Sequence, residues 1–112
     1  MCVIELGDKI HKKVIAYKLF GREGRKIVGL YRVAPGADRG YKRGVKYYAR
    51  TMHGIQAFVR RRDALKARWA TERLERVELF NARQGVINGM RSGSDGAPGW
   101  SARAMRIPRR AR

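Results

Sequence analysis

Two short runs of β-branched and aromatic residues, separated by a glycine-containing segment, constrain the fold of this chain more than any other feature. Val14–Phe20 and Ile27–Val33 flank the segment GREGRK, a spacing typical of a β-hairpin whose turn uses glycine at positive φ. A turn centred on the Glu-Gly pair of this segment places Phe20 opposite Ile27, and both faces of the hairpin are then apolar. A hairpin with one face in water would alternate apolar and polar residues. We therefore expect cover on both faces, from a helix and from a second layer or a partner chain.

Further strands and two loops are predicted along the rest of the chain. The predicted strands are Val45–Ala49, Gly54–Val59, Leu74–Phe80 and Trp100–Ile107, and the predicted loops are Ala34–Gly44 and Asn81–Gly99. A chain of 112 residues is long enough for one hydrophobic core and too short for two. The sequence thus predicts an α+β fold, a mainly antiparallel sheet of about five to six strands with one packed helix. Residues 1–107 would form a single compact domain, and residues 108–112 a basic C-terminal tail.

The one predicted helix runs from Arg61 to Glu72, where good helix formers are concentrated. Its apolar stripe is expected to consist of Ala64, Leu65 and Trp69. Glu72 has an arginine four residues away on either side, so we expect it to form ion pairs on the solvated face of the helix.

The charge of the chain indicates its partners. It contains 27 Lys and Arg against 9 Asp and Glu, a net charge of +18, while its hydrophobic content of 44% is that of a globular protein rather than a disordered tail. Folding brings like charges together, and a bound polyanion relieves the repulsion. Arginine suits phosphate because its planar guanidinium donates two parallel hydrogen bonds. A GC-rich genome would also raise the arginine content, but it would not explain why acids are so few. We therefore expect a nucleic acid or another phosphate-bearing polyanion as the partner.

The cellular compartment is predicted from the cysteine content and from the first residues. The single cysteine, Cys2, cannot form an internal disulfide, which is typical of a reducing cytosol. Charged residues interrupt the first twenty positions, so a signal peptide is not expected. No stretch approaches the roughly 20 apolar residues of a membrane helix. These features predict a cytoplasmic protein without membrane contact.

Three basic groups are candidates for binding phosphate. Residues 39–50 (RGYKRGVKYYAR) hold five cations and three tyrosines without an acid, a mixture that suits phosphate contacts with base stacking. In the alternative interpretation, the tyrosines are core residues and the cations protect a sheet edge. The triplet at 60–62 opposes the helix dipole and so indicates a nearby anion, unless the helix begins only at Asp63. The arginine-rich end, residues 106–112, could bind along a nucleic acid, or be a solvated terminus. The predicted nucleic-acid-binding residues are Arg39, Tyr41, Lys42, Arg43, Lys46, Tyr48, Arg50, Arg60, Arg61, Arg62, Arg109, Arg110 and Arg112.

The sequence gives little support for catalysis. His11 and His53 are the only histidines, and no clustered His, Cys and carboxylates have the spacing of a metal site. Neither a phosphate-binding loop nor a dinucleotide motif is present. A metal-free ribonuclease using the two histidines as base and acid is the enzymatic alternative. We expect no enzyme activity, no cofactor and no metal.

Several segments in order resemble small uncharacterised accessory proteins of tailed phages. They are YKLF at 17–20 with its glycine turn and second strand, GIQAF at 54–58 before an alanine-bearing helix, VELF at 77–80 and GWSARAM at 99–105. The resemblance implies no defined activity and no functional residue. It implies a context, because small phage proteins outside the virion often act on host transcription, translation or defence machinery.

Non-enzymatic nucleic-acid binding, with RNA ahead of DNA, is the function that these features favour. Tyrosines among cations suit unstacked bases, and no recognition-helix pattern is present. One alternative is a phage counter-defence protein, which would inhibit a CRISPR-type host nucleoprotein complex or sequester a cyclic nucleotide messenger in an Arg/Tyr-lined pocket. A second alternative is a structural subunit of a ribonucleoprotein. A homodimer, whose second copy covers the hairpin, is a further expectation.

Overall fold

Antiparallel strands make up most of the protein. The computed structural model describes residues 2–23, 26–29, 40–88 and 96–109. In chain order the elements are β1 (Cys2–Ile4), β2 (His11–Glu23), β3 (Lys26–Val28), β4 (Lys46–Tyr48), β5 (Ile55–Phe58), α1 (Arg61–Ala67), β6 (Arg73–Asn88) and β7 (Pro98–Arg106). Within the described residues there are thus seven strands, where five to six were predicted, and a single short helix. The predicted α+β class with a mainly antiparallel sheet is confirmed.

The strand pairing closes on itself. β6 is antiparallel to β2 along one edge and to β7 along the other. β5 pairs with β7 and also reaches β2, where Phe58 lies opposite Tyr17. β1 continues the pairing at the end of β6, β4 pairs with β7, and β3 pairs with β2. The sheet therefore has an inner face, which encloses side chains, and an outer face.

From Ala16 to Phe20, each face of β2 is covered by other parts of the same chain. Ala16 and Phe20 belong to an inner cluster with residues from β5, β6 and β7. Leu19 belongs to an outer cluster with Phe58 of β5 and the alanines of α1. The expected cover on both faces is confirmed, and it consists of the helix and the rest of the sheet. These contacts do not call for a partner chain.

The predicted hairpin is present, but its register differs from the prediction. Gly21 lies opposite Val28, and Arg22 lies opposite Ile27, so the expected pairing of Phe20 with Ile27 is wrong. The observed turn lies one position later in the chain, which moves the pairing by two residues. A shift by an even number leaves each side chain on its face, and Phe20 and Ile27 do share the inner cluster. The end of the predicted second strand, residues 30–33, lies outside the described residues.

Helix α1 is shorter than predicted and uses a different face. It ends at Ala67, and Arg68 is already extended with φ −73° and ψ 131°. Ala64 and Ala67 are the buried residues, since their small side chains let the helix lie close to the sheet. Leu65 is 39% exposed and Trp69 is 54% exposed, so the predicted apolar stripe is wrong at these two positions.

Glu72 lies in the turn between α1 and β6, outside the helix on which its ion pairs were expected. It is 5% exposed, and its Oε1 accepts a hydrogen bond from the backbone N–H of Trp69 at 2.8 Å. The carboxylate therefore closes the turn that leads into β6. The prediction of solvated helical pairs for this residue is wrong.

The prediction of a loop beginning at Asn81 is wrong, because β6 continues to Asn88. Asn81 adopts a left-handed φ of 52°, which asparagine tolerates better than most residues. A Cβ atom on Gly85 would clash with the backbone carbonyl of Ile4 in the paired strand β1. The glycine that favoured a loop prediction is thus required for close strand packing. Residues 89–95 of the predicted loop lie outside the described residues.

The described part of the C-terminal tail lies against the turn that precedes β4. The Gly44 N–H donates a hydrogen bond to the Ile107 carbonyl at 2.7 Å, and Arg43 Nη1 donates to the Pro108 carbonyl at 3.3 Å. Gly44 has φ 79°, and a Cβ atom there would lie 2.7 Å from Arg109 Nε. The first two tail residues therefore pack on the domain.

Candidate nucleic-acid interface

A cleft of about 740 Å³ opens beside helix α1 and is lined mainly by arginine. We call it the arginine cleft. Its lining residues are Arg43, Arg61, Arg68, Arg73, Arg76, Tyr17, Leu65, Leu74 and Glu75. Among the described residues that line this space, five are arginines and one carries a carboxylate, an arrangement that favours an anionic ligand.

Helix geometry and an interrupted strand pairing bring these arginines together. Arg61, Leu65 and Arg68 are spaced by four and three residues, so they lie on one side of the chain as it leaves α1. Residues 73–77 of β6 precede the point where the pairing with β7 begins at Glu78. Within the described part of the chain, this stretch of β6 pairs with β2 alone, and side chains from both of its faces therefore reach the cleft.

Glu75 orients two of the five arginines. Its Oε1 accepts hydrogen bonds from Arg43 Nη2 and from Arg73 Nε, each at 2.6 Å. Among the described residues, Arg61 and Arg76 form no ion pair or side-chain hydrogen bond. The cleft therefore combines two guanidinium groups held in place by a carboxylate with two whose donors are available to a ligand.

A second basic region lies on the outer face of the sheet. We call it the outer strip and define it by Lys13, Lys46, Tyr48, Glu78, Phe80 and Arg106. Glu78 Oε2 lies 2.5 Å from Lys13 Nζ, and Glu78 Oε1 accepts a hydrogen bond from Arg106 Nε at 2.8 Å. The hydrogen bonds from Arg106 and Lys13 lower the pKa of Glu78 to about 2, and the one from Arg106 has the larger effect. Glu78 is therefore ionised throughout the physiological pH range, and two cations neutralise it.

Cations and aromatic rings alternate along the outer strip. Lys46 Nζ lies 4.3 Å from the ring centroid of Phe80 and 5.6 Å from that of Tyr48. The Arg106 guanidinium lies 5.5 Å from the Phe80 centroid. Tyr48 is 68% exposed, so much of its ring surface is open to solvent.

The structure divides the predicted cluster of residues 39–50 among different places. Arg43 lines the arginine cleft, whereas Lys46 and Tyr48 lie on the outer strip. Tyr41 packs edge-on against the rings of Phe20 and Tyr47, with centroids 5.6 and 4.9 Å away. Burial raises the pKa of its hydroxyl. Tyr41 therefore packs against the core, as the alternative interpretation of this segment expected.

The remaining members of that cluster contribute less to either surface. Arg50 follows the end of β4, and its positive charge opposes part of the rise that burial causes in the pKa of Tyr41. Lys42 is exposed, and its backbone N–H donates to the Tyr47 hydroxyl at 2.7 Å. Arg39 lies outside the described residues.

The predicted triplet at the start of α1 contributes one residue to the cleft. The helix begins at Arg61 rather than at Asp63, and Arg60 occupies the N-cap without a side-chain cap hydrogen bond. Arg60 Nε lies 4.0 Å from an oxygen of Asp63, which supplies an acid in the first turn. Arg62 is exposed and does not line the cleft. Of the triplet, the structure thus brings only Arg61 together with Arg43 in the cleft. Among the predicted C-terminal residues, Arg109 packs on Gly44. Arg110 and Arg112 lie outside the described residues.

Seven lining residues of the cleft were not predicted as binding residues: Tyr17, Leu65, Arg68, Arg73, Leu74, Glu75 and Arg76. Tyr17 was assigned to a strand of the hairpin, and the arginines four residues before and after Glu72 were assigned to helical ion pairs. Their meeting point depends on where α1 ends and where β7 leaves β6. Neither position has a signal in the local sequence.

Neither histidine lines the arginine cleft or belongs to the outer strip. His11 packs edge-on against the ring of Trp100, with centroids 5.0 Å apart. His53 is exposed, and its backbone carbonyl accepts a hydrogen bond from Ser101 Oγ at 2.7 Å. In the described ranges no hydrogen bond or ring contact joins the two histidines, and no three His, Cys, Asp or Glu side chains come together as metal ligands.

Comparisons with protein-family models, curated proteins and solved structures give no match. The resemblance to small phage proteins therefore stays a prediction. Over the residues that the structure describes, no helix combines the length and the apolar character needed to cross a membrane.

Proposed function

We propose that this protein is a non-enzymatic nucleic-acid-binding protein that holds backbone phosphates in the arginine cleft. One observation carries the proposal: five arginines line one cleft, and Glu75, the only carboxylate among its described lining residues, is already engaged by two of them. A phosphate in this cleft would accept charge-assisted hydrogen bonds from planar donors. It would also reduce the repulsion that a net charge of +18 imposes on the folded chain.

We propose RNA ahead of DNA as the ligand. Helix α1 has seven residues, so it is only about 10 Å long, and it packs on the sheet through Ala64 and Ala67. A helix that reads the major groove must instead present its side chains to base edges. Recognition through phosphates and aromatic rings is typical of unpaired RNA.

The test is binding of fluorescently labelled 20-nucleotide probes, measured by anisotropy over a series of salt concentrations. Single-stranded RNA, single-stranded DNA and both duplexes are compared. The double variant Arg61→Ala/Arg76→Ala removes the two cleft arginines that have no ion pair or side-chain hydrogen bond within the described part of the chain. We expect its salt slope on single-stranded RNA to decrease by about 1.4, since each lost phosphate contact removes about 0.7.

The matched control is Lys9→Ala/Lys12→Ala, which removes the same charge from two exposed lysines, one just before β2 and one within it. It should leave affinity and slope close to those of the wild type. Equal losses in the two double variants would show that only net charge matters, and would contradict the assignment to the cleft. Absence of binding to every probe at low salt would overturn the proposed function.

A small nucleotide is the second candidate ligand, because the volume of the cleft favours it. About 740 Å³ lies within the range of roughly 300–1,000 Å³ that is typical of small-molecule sites. Calorimetry with a cyclic dinucleotide distinguishes the two ligands. One-to-one binding that persists at high salt, with no preference for long polymers, would favour the nucleotide over RNA.

A further inference from the structure

We propose that Tyr48 is a base-stacking subsite, and that the ligand is a single strand that spans the arginine cleft and the outer strip. This inference rests on the proposed function, because it assigns the class of nucleic acid and a second contact to the same interface. Stacking on an exposed aromatic ring requires an unpaired base.

Arg76, which lines the cleft, and Tyr48 lie on the same face of the sheet. Along β6, Arg76, Glu78 and Phe80 alternate with Val77 and Leu79, both of which are fully buried. The three alternating side chains therefore point to the outer face.

Strand pairing then leads from β6 to Tyr48. Phe80 lies opposite Ala104 of β7, and Ala104 lies opposite Tyr48 of β4. Four residues along β6 and two steps between strands separate Arg76 from Tyr48, which amounts to about 16 Å between their Cα atoms. A mononucleotide in the cleft is too short to reach Tyr48, whereas an oligonucleotide can contact both.

The charges between the two subsites permit a phosphate backbone to pass. Glu78 is the one carboxylate of the outer strip, and Lys13 and Arg106 both pair with it. Lys46 Nζ lies within 5.6 Å of the centroids of Phe80 and Tyr48, so its ammonium group is close to both rings. A phosphate beside Tyr48 would have this ammonium as its counter-charge.

The surroundings of Tyr48 leave room for a base. Its cross-strand neighbour is Ala104, which is 2% exposed and has the smallest chiral side chain. Tyr48 itself is 68% exposed, in contrast to Tyr41, which packs against Phe20 and Tyr47. Of the tyrosines that the sequence placed among the cations, Tyr48 is thus the one whose ring is available to a ligand.

The experiment compares the wild type with Tyr48→Ala and Tyr48→Phe on uridine monophosphate, a 12-nucleotide oligouridine and the same 12-mer without bases. We expect Tyr48→Ala to weaken binding of the oligouridine about tenfold, the order of magnitude for loss of one stacked base. Tyr48→Phe should retain the affinity, because it keeps the ring. Binding of the mononucleotide and of the abasic 12-mer should not depend on residue 48.

The matched control is Met52→Ala, a truncation at a residue that is 95% exposed and lies outside the outer strip. The thermal midpoint of each variant shows that it is folded. If the wild type binds oligouridine and Tyr48→Ala binds it equally well, the stacking subsite is refuted while the cleft proposal stands. Equal affinity for a duplex of the same length also refutes it. If the wild type binds no oligonucleotide, the proposed function itself fails.

Discussion

Replacing Lys18 with methionine is expected to stabilise the protein at neutral pH. Lys18 is partly buried in β2, its Nζ donates a hydrogen bond to the Gln56 carbonyl at 2.8 Å, and it lies 5.8 Å from the Phe20 ring centroid. In the described part of the chain its ammonium group has no acidic partner. Burial lowers the pKa of Lys18 from 10.5 to about 8.

The size of the effect follows from that pKa difference. Each unit corresponds to about 1.4 kcal/mol, so keeping Lys18 charged in the folded state costs about 3 kcal/mol at pH 7. Methionine has a similar length and flexibility and carries no charge. The substitution also removes the hydrogen bond and leaves the Gln56 carbonyl without this donor. This loss offsets roughly 1–2 kcal/mol of the stabilisation gained by removing the charge. The variant should therefore be more stable by about 1–2 kcal/mol.

The pH dependence distinguishes this explanation from a simple gain in packing. Because the folded-state pKa lies below the unfolded-state value, the wild type gains stability as the pH rises from about 8 to 10.5. The advantage of Lys18→Met should be full below pH 8 and shrink across this window. Urea unfolding followed by circular dichroism at pH 7, 9 and 10.5 measures it, with Lys12→Met as the exposed control. A variant less stable than the wild type at pH 7, or an advantage independent of pH, would refute the reasoning.

Two further predictions concern the carboxylates that engage the cations. The Glu75→Gln variant should bind single-stranded RNA several-fold more tightly and with a steeper salt dependence, because two guanidinium groups lose their carboxylate partner. Fluorescence anisotropy measures this affinity. Unchanged or weaker binding by the folded variant would contradict the prediction. Glu78→Gln should lower the free energy of unfolding by about 1 kcal/mol at pH 7. Since the pKa of Glu78 falls from 4.5 to about 2 on folding, that stabilisation is present above pH 4.5 and is lost as the pH falls towards 2. Urea titrations of wild type and variant should converge in this window, and a constant difference would show that the ion pairs are not its source.

The local pattern of the sequence was sufficient for the class of fold and for most strands. Alternation within Val45–Ala49 and Leu74–Phe80 predicted parts of β4 and β6, and the apolar character of both hairpin faces predicted cover on both sides. These signals depend on neighbouring residues, because side chains alternate along a strand whatever it pairs with. The net charge, which needs no structure, was sufficient to predict a polyanionic partner.

Only the tertiary structure decided where the cations meet. Arg43 precedes β4, Arg61 and Arg68 flank α1, and Arg73 and Arg76 begin β6. They share a cleft because the sheet closes on itself and because β7 joins β6 only from Glu78 onwards. Contacts between residues so far apart in sequence leave no periodic signal.

The tertiary structure also decided which of two tyrosines packs against the core. Tyr41 and Tyr48 stand in the same basic segment, yet one packs on Phe20 and the other is 68% exposed. Composition treats the two alike, since it counts rings and charges without their neighbours. The sequence by itself thus determined the net charge from which a polyanionic ligand is predicted, and the folded sheet determined which cations and aromatic rings share a surface.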